Sequence, residues 1–224
     1  MKSEEFFREV DEDLRRDQFK KLWLRYGGLV VGLVVLLVAG TAGKVAWDHW
    51  QLQQRAAESL RFTAADDALV AGRDAEAADQ FAALAADGNT GFAALALLKE
   101  AQAKLAQKDD PGAVAALDRL GSGGSDTPIL RQLGTLLAAE RELGTADPAA
   151  LTQALEPLTA ADAPWRNQAR ELLALVAIRT GDLDKARPLL EELSKEVGVP
   201  PSQQRRADEL LQAIGKPPAQ AAGS

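Results

Sequence analysis

Eighteen consecutive residues without a charge, Tyr26 to Gly43, constrain the fold more than any other feature; the centre of the run, Leu29–Val38, reads LVVGLVVLLV. At a helical rise of about 1.5 Å per residue they reach roughly 27 Å, close to the hydrocarbon thickness of a bilayer. Lys44 can snorkel, and Val45, Ala46 and Trp47 continue the apolar helix. Trp23, Tyr26, Trp47 and Trp50 stand at the two ends, where amphipathic rings favour the membrane interface. The sequence therefore predicts one transmembrane helix over 26–47. Residues 1–25 form a segment on one side, and everything from residue 48 onward is an anchored domain.

Five cations precede the span at short range (Arg15, Arg16, Lys20, Lys21, Arg25), and two follow it (Lys44, Arg55). The positive-inside rule then puts residues 1–25 in the cytoplasm and the C-terminal domain across the membrane. A cleaved signal peptide is the alternative, with Ala39–Ala42 resembling a cleavage site. Its n-region would be rich in acids and its apolar core longer than the usual ~7–15 residues, so an uncleaved signal anchor fits better. The chain has no cysteine. That removes disulfides, thiol catalysis, cysteine metal sites and a lipid anchor on Cys. One span with an exported domain fits a single-pass protein of a Gram-negative inner membrane with a periplasmic domain.

Residues 51–224 hold 18 Lys+Arg against 25 Asp+Glu, a net of −7. Nucleic-acid surfaces need basic stripes, so that class is excluded. Strand signals are nearly absent after the span, and Ala, Leu, Gln, Glu, Asp and Arg dominate, mostly good helix formers. The expected fold class is all-α.

The soluble part repeats. Gly72-Arg-Asp-Ala-Glu-Ala77 is followed by Phe81 and Leu84, and Gly181-Asp-Leu-Asp-Lys-Ala186 by Leu190 and Leu193. Weaker copies lie between: Lys108 to Ala113 with Leu117 and Leu120, and Gly144 to Ala150 with Ala154 or Leu155 and Leu158. The marker alanines Ala77, Ala113, Ala150 and Ala186 are spaced by 36, 37 and 36 residues, the mark of a helical solenoid. In each copy glycine can end a helix in the left-handed conformation, Asp can cap the next, and Pro111 and Pro148 suit a first turn. The apolar residues four and seven beyond the marker form the buried stripe, which neighbouring pairs must cover.

The anchor helix is expected to run through about Gln53. Pairs should follow at 55–71 and 74–87, 91–107 and 111–120, 128–143 and 148–160, and 165–180 and 183–196, with a polar-sided cap helix at 201–214. The repeat domain thus covers 48–214. Gly121–Asp126 (GSGGSD) reads as a flexible break and 215–224 as a disordered tail.

The fourth copy, with Leu173-Ala174, Ala177, Gly181-Asp182, Ala186, Leu190, Leu193 and Pro200, resembles the tetratricopeptide repeat. That family's helix A has a small residue where Ala174 stands, and its helix B has alanine where Ala186 stands. Its aromatic early in helix A is missing, so these are degenerate repeats, covering about Leu60 to Ala213. The layout as a whole resembles the ancillary subunit of the bacterial SecYEG translocon: a short charged segment, one span with Tyr26-Gly27-Gly28 at its start and Trp47, Asp48, His49 and Trp50 at its exit, then degenerate repeats. The resemblance implies a periplasmic repeat domain working with the Sec translocon, a membrane-anchored periplasmic chaperone and exported clients. It implies no cofactor.

Chemistry is hard to place. The single histidine, His49, lies at the membrane interface beside Asp48, where a polar headgroup-level residue is the plain reading. Nucleophile-elbow, P-loop and dinucleotide fingerprints are missing. Asp109-Asp110 and Asp66-Asp67 read as caps or surface acids. These readings predict no catalytic, cofactor or metal site and no enzyme. Within the span, Gly28-x-x-x-Gly32, with Ala39-x-x-x-Gly43 on roughly the same side, is a close-packing pattern for membrane helices. Phe7, Val10 and Leu14 share one helical side of the N-terminal segment. Resemblance to the repeat places Phe62, Leu69, Leu98, Leu105, Leu175 and Ile178 near the concave, peptide-binding side of the solenoid, although several could instead be core. The expected function is an interaction adaptor at the Sec translocon. A repeat scaffold for cell division, outer-membrane assembly or cytochrome maturation is the alternative.

Overall fold

The structure is a computed structural model that describes residues 3–87, 91–123 and 127–215. The expected tail from Lys216, and Gly124–Asp126 of the expected break, lie outside the described residues, as do the side chains of Phe7, Val10, Leu14 and Trp23. Among the described residues the chain is all-helical. By its internal contacts it divides into two units, Met1–Ala57 and Glu58–Ser224.

The first helix, α1, runs Ser3–Val70. The break expected near Gln53–Arg55 is not there, and the first helix of the first pair is the C-terminal part of α1. The sequence explains this: neither glycine nor proline occurs between Gly43 and Gly72, so nothing interrupts the hydrogen-bond ladder. The other helices are α2 (Asp74–Asp87), α3 (Gly91–Ala106), α4 (Asp110–Ser122), α5 (Pro128–Glu142), α6 (Pro148–Leu155), α7 (Arg166–Thr180), α8 (Leu183–Lys195) and α9 (Pro201–Ala213). A 3-10 turn, Glu156–Thr159, follows α6. The expected helix over 148–160 stops early because Pro157 has no N–H and crowds the carbonyl four residues back. Gly121 and Ser122, expected in a flexible break, are the last residues of α4.

The links between paired helices repeat one chemistry. Gly72 (φ 74°) and Gly181 (φ 77°) are left-handed. In each case the residue after the glycine donates to the carbonyl five back, as in Arg73 N to Ala68 O and Asp182 N to Ala177 O, both 2.9 Å. Lys108 fills the same slot with φ 62° despite its Cβ. Asp109, Asp147 and Asp182 then cap α4, α6 and α8, accepting from the amides of Gly112, Ala149 and Lys185.

Counting from the cap corrects the third repeat. Ala77, Ala113 and Ala186 are fully buried, whereas Ala150 is exposed and Leu151 takes the marker position. Gly144 has no left-handed φ, so α5 ends in a longer turn and the next helix starts later. With Leu151 in place, the residues four and seven beyond each marker (Phe81 and Leu84, Leu117 and Leu120, Leu155 and Leu158, Leu190 and Leu193) are all buried. More than half of the buried apolar residues are alanines, so helices approach closely and a few large side chains carry the packing.

Candidate functional site: an exposed apolar helix and a repeat unit

In the first unit, α1 contains one segment, from Val31, long and apolar enough to cross a membrane, and none of its apolar window is buried. Val31, Leu33, Val35, Leu36, Leu37 and Val38 are all exposed. Leaving such a stripe in water is unfavourable by roughly 25 cal/mol per Å² of apolar surface. Trp47 and Trp50 lie with ring centroids 5.2 Å apart and planes tilted by 42°, and His49 is 3.0 Å from Gln53 Nε2, a local surface pairing. Gly28, Gly32, Ala39 and Gly43 are exposed, and a Cβ added at any of the three glycines would meet nothing within 4 Å. Within the isolated chain that stripe is open.

In the second unit, the six residues nominated for a groove are half-buried and spread over separate clusters. Phe62 lies 5.3 Å from Phe81 and 5.8 Å from Phe92, centroid to centroid, and packs with Leu69 on the first cluster. Leu98 and Leu105 pack where α3, α4 and α5 meet, Leu175 on the α5–α6–α7 cluster, and Ile178 on the α7–α8–α9 cluster. A cavity of about 950 Å³ lies elsewhere, between α6 and α8, floored by Leu173, Val176 and Ala177 of α7. Leu175 and Ile178, expected near the concave side, are on the same helix but do not line this cavity. Pro157, in the 3-10 turn after α6, and Pro188 inside α8 stand beside it.

Helices one repeat apart are tied by polar contacts. Lys99 Nζ lies 2.6 Å from Asp66 Oδ1. Glu171 accepts from Arg206 Nε at 2.6 Å, Arg206 Nη2 at 3.0 Å and Gln203 Nε2 at 2.8 Å, which docks α9 on α7. Arg179 donates to the carbonyls of Leu143 and Ala146 and holds the α5–α6 turn. No group of three or more His, Cys, Asp or Glu among the described residues is placed to hold a metal ion.

Glu100 is the one buried acid of this set, with 9% of its side chain exposed, and Arg119 Nη1 lies 3.1 Å from its Oε2. Burial pushes its carboxyl above the ordinary range, opposed by Arg119 and Lys104. A raised carboxyl pKa means the folded chain holds the proton more tightly than the unfolded chain. Glu100's contribution to stability therefore falls as pH rises from about 4.5 through the folded value. Arg119→Ala removes the partner and is expected to cost about 1–3 kcal/mol at neutral pH. Relative to the parent the cost should shrink at about pH 4, and Glu100→Gln in the same background should recover most of it. Urea unfolding at the two pH values checks this; an equal cost at both would show that Arg119 acts through packing alone.

The sequence pattern of the tetratricopeptide repeat-like domain family matches residues 20–188, from just before the apolar run to the middle of α8. No curated protein and no solved structure matches the chain. Domains of this family are typically non-catalytic scaffolds that mediate protein–protein interactions. The left-handed link, the Asp cap and the small marker each occur in three of the four copies and the buried pair four and seven residues beyond the marker in all four; with the match over residues 20–188, the chain belongs to the tetratricopeptide repeat-like domain family.

Proposed function

We propose that the protein is a non-enzymatic, single-pass adaptor of a bacterial inner membrane. It presents its repeat domain to the periplasm and brings exported clients and a membrane-anchored chaperone together at the Sec translocon. The observation that carries the reading is an exposed apolar helix of membrane-spanning length in the same chain as a tetratricopeptide repeat-like domain. The five cations before the span, against two after it, support a cytoplasmic N-terminus. The resemblance of the whole layout to the translocon's ancillary subunit supports the partner. The mechanism is effective concentration: two binding partners held in one membrane meet often even when each contact is weak.

On this reading Gly28, Gly32, Ala39 and Gly43 form the face on which a translocon helix packs, and Phe62, Leu69, Leu98, Leu105, Leu175 and Ile178 lie along the peptide-facing side of the repeats. The test is in-cell crosslinking followed by purification in mild detergent. Translocon subunits are expected in the recovered complex, with recovery reduced several-fold by the Gly28→Leu/Gly32→Leu double variant. Dominant capture of a division, outer-membrane assembly or cytochrome-maturation complex without translocon subunits would assign the scaffold to that process instead. Protease added to intact spheroplasts should digest the repeat domain, and full protection would reverse the topology.

A further inference from the structure

Two prolines stand beside the cavity between α6 and α8: Pro157 follows the lining residue Glu156, and Pro188 lines the α8 side. α6 has only eight residues, and at Pro157 the chain turns into a 3-10 segment. Leu173, Val176 and Ala177 floor an open groove, with Leu189 on the α8 wall. Pro157 and Pro188 carry no N–H. The carbonyls of Gln153 and Asp184, four residues before them, therefore lack their usual helical donor, and both residues line the groove.

The rim is acidic. Glu156, Asp182, Asp184 and Glu192 line the cavity against Arg170 and Lys185. A second depression of about 670 Å³ shares Arg170, Pro188 and Glu192 with it and adds Glu191, Lys195 and Glu196. Each of these cations is already matched: Arg170 lies 2.8 Å from Glu196, Lys185 3.3 Å from Asp182 and Lys195 3.3 Å from Glu191. Among the described residues Glu156 and Asp184 carry charge with no ion pair, on opposite walls.

We propose that this groove docks a basic amphipathic segment of a partner protein. Its apolar residues lie on Leu173, Ala177 and Leu189. Its Lys or Arg side chains reach Glu156 and Asp184. Apolar contact supplies most of the hold and the acidic rim selects the sign of the partner. The inference rests on the reading of the chain as an interaction scaffold and names the partner chemistry for a surface distinct from the six-residue face above.

The test uses the full chain in nanodiscs of phosphatidylcholine, with empty discs as the blank. The probe is a fluorescent peptide of about 14 residues with Leu and Lys at helical period. Saturable binding is expected, weakened at least about tenfold by Glu156→Lys/Asp184→Lys. Asp208→Lys/Glu209→Lys, on the exposed side of α9, should change it less than about twofold. Equal weakening by both pairs would reduce the effect to diffuse attraction and overturn the proposal. So would equal binding of a peptide with Ser in place of Leu. If the protein instead sediments as a dimer that Glu156→Lys/Asp184→Lys dissociates, the groove belongs to a second copy. Peptide binding without translocon capture would remove only the assignment to the translocon, and capture without peptide binding would remove only this inference.

Discussion

Replacing Phe81 with alanine is expected to lower the stability of the repeat unit by about 4 kcal/mol and its thermal midpoint by roughly 10 °C. Phe81 is fully buried and meets Phe62 edge to face at 5.3 Å. The surrounding cluster is otherwise mostly alanine: Ala65, Ala68, Ala77, Ala78, Ala96 and Ala103. Alanines have no rotamers with which to fill the space left behind, so most of the cavity should persist. Phe81→Leu should recover most of the loss, because Leu117, Leu155 and Leu190 occupy the same slot in the other repeats. Stacked repeats touch only their neighbours, so hydrogen exchange should quicken first in α2 and α3 while α8 and α9 stay protected. Uniform loss of protection from α2 to α9 would instead show that the unit unfolds as one cooperative block.

The repeat was legible because its punctuation is chemical. Gly72 and Gly181 take a backbone conformation that other residues resist, and Asp109 and Asp182 cap the helices that follow. Where the punctuation weakens, alignment by residue type fails. Ala150 looked like the marker because it is an alanine. Measured from the Asp147 cap, the position four residues on is Leu151, which is the buried one. The cap is the better origin because it fixes the phase of the helix, whereas side-chain size fixes nothing at an exposed position. α1 is longer than expected for a related reason. The sequence turns from apolar to polar near Gln53, but no residue there breaks a helix.

The groove was less legible. A central helix such as α7 is covered from several sides: Leu172 and Val176 pack toward α5 and α6, and Ala174 packs toward α8 and α9. Apolar periodicity cannot tell which face stays uncovered. That depends on how far the neighbouring helices extend, and among them α6 gives way to a 3-10 turn at Pro157.

Gly134→Val is expected to cost about 3 kcal/mol, and this effect too comes from neighbours rather than from local sequence. Gly134 sits in the middle of α5, where glycine is about 1 kcal/mol worse than alanine. Its place is explained by α4. A Cβ at Gly134 would lie 2.7 Å from the Gly121 amide nitrogen, 2.9 Å from the Leu117 carbonyl oxygen and 2.9 Å from Leu120 Cγ. Two of the three are backbone, so no rotamer change relieves them, and a branched side chain must push the helices apart. Gly121, expected in a flexible break, is one half of this contact. Gly144→Ala is the control: its Cβ would meet nothing within 4 Å and its φ is not left-handed, so the change should be near neutral. Urea unfolding of the full chain in detergent should separate the two variants clearly, and a Gly134→Val cost below about 1 kcal/mol would mean that α4 and α5 slide apart freely. The damage should stay at the α4–α5 junction, because stability in stacked repeats passes only between neighbours. Peptide binding in the α6–α8 groove should therefore survive Gly134→Val, and its loss would show that the spacing of α4 and α5 is transmitted along the array.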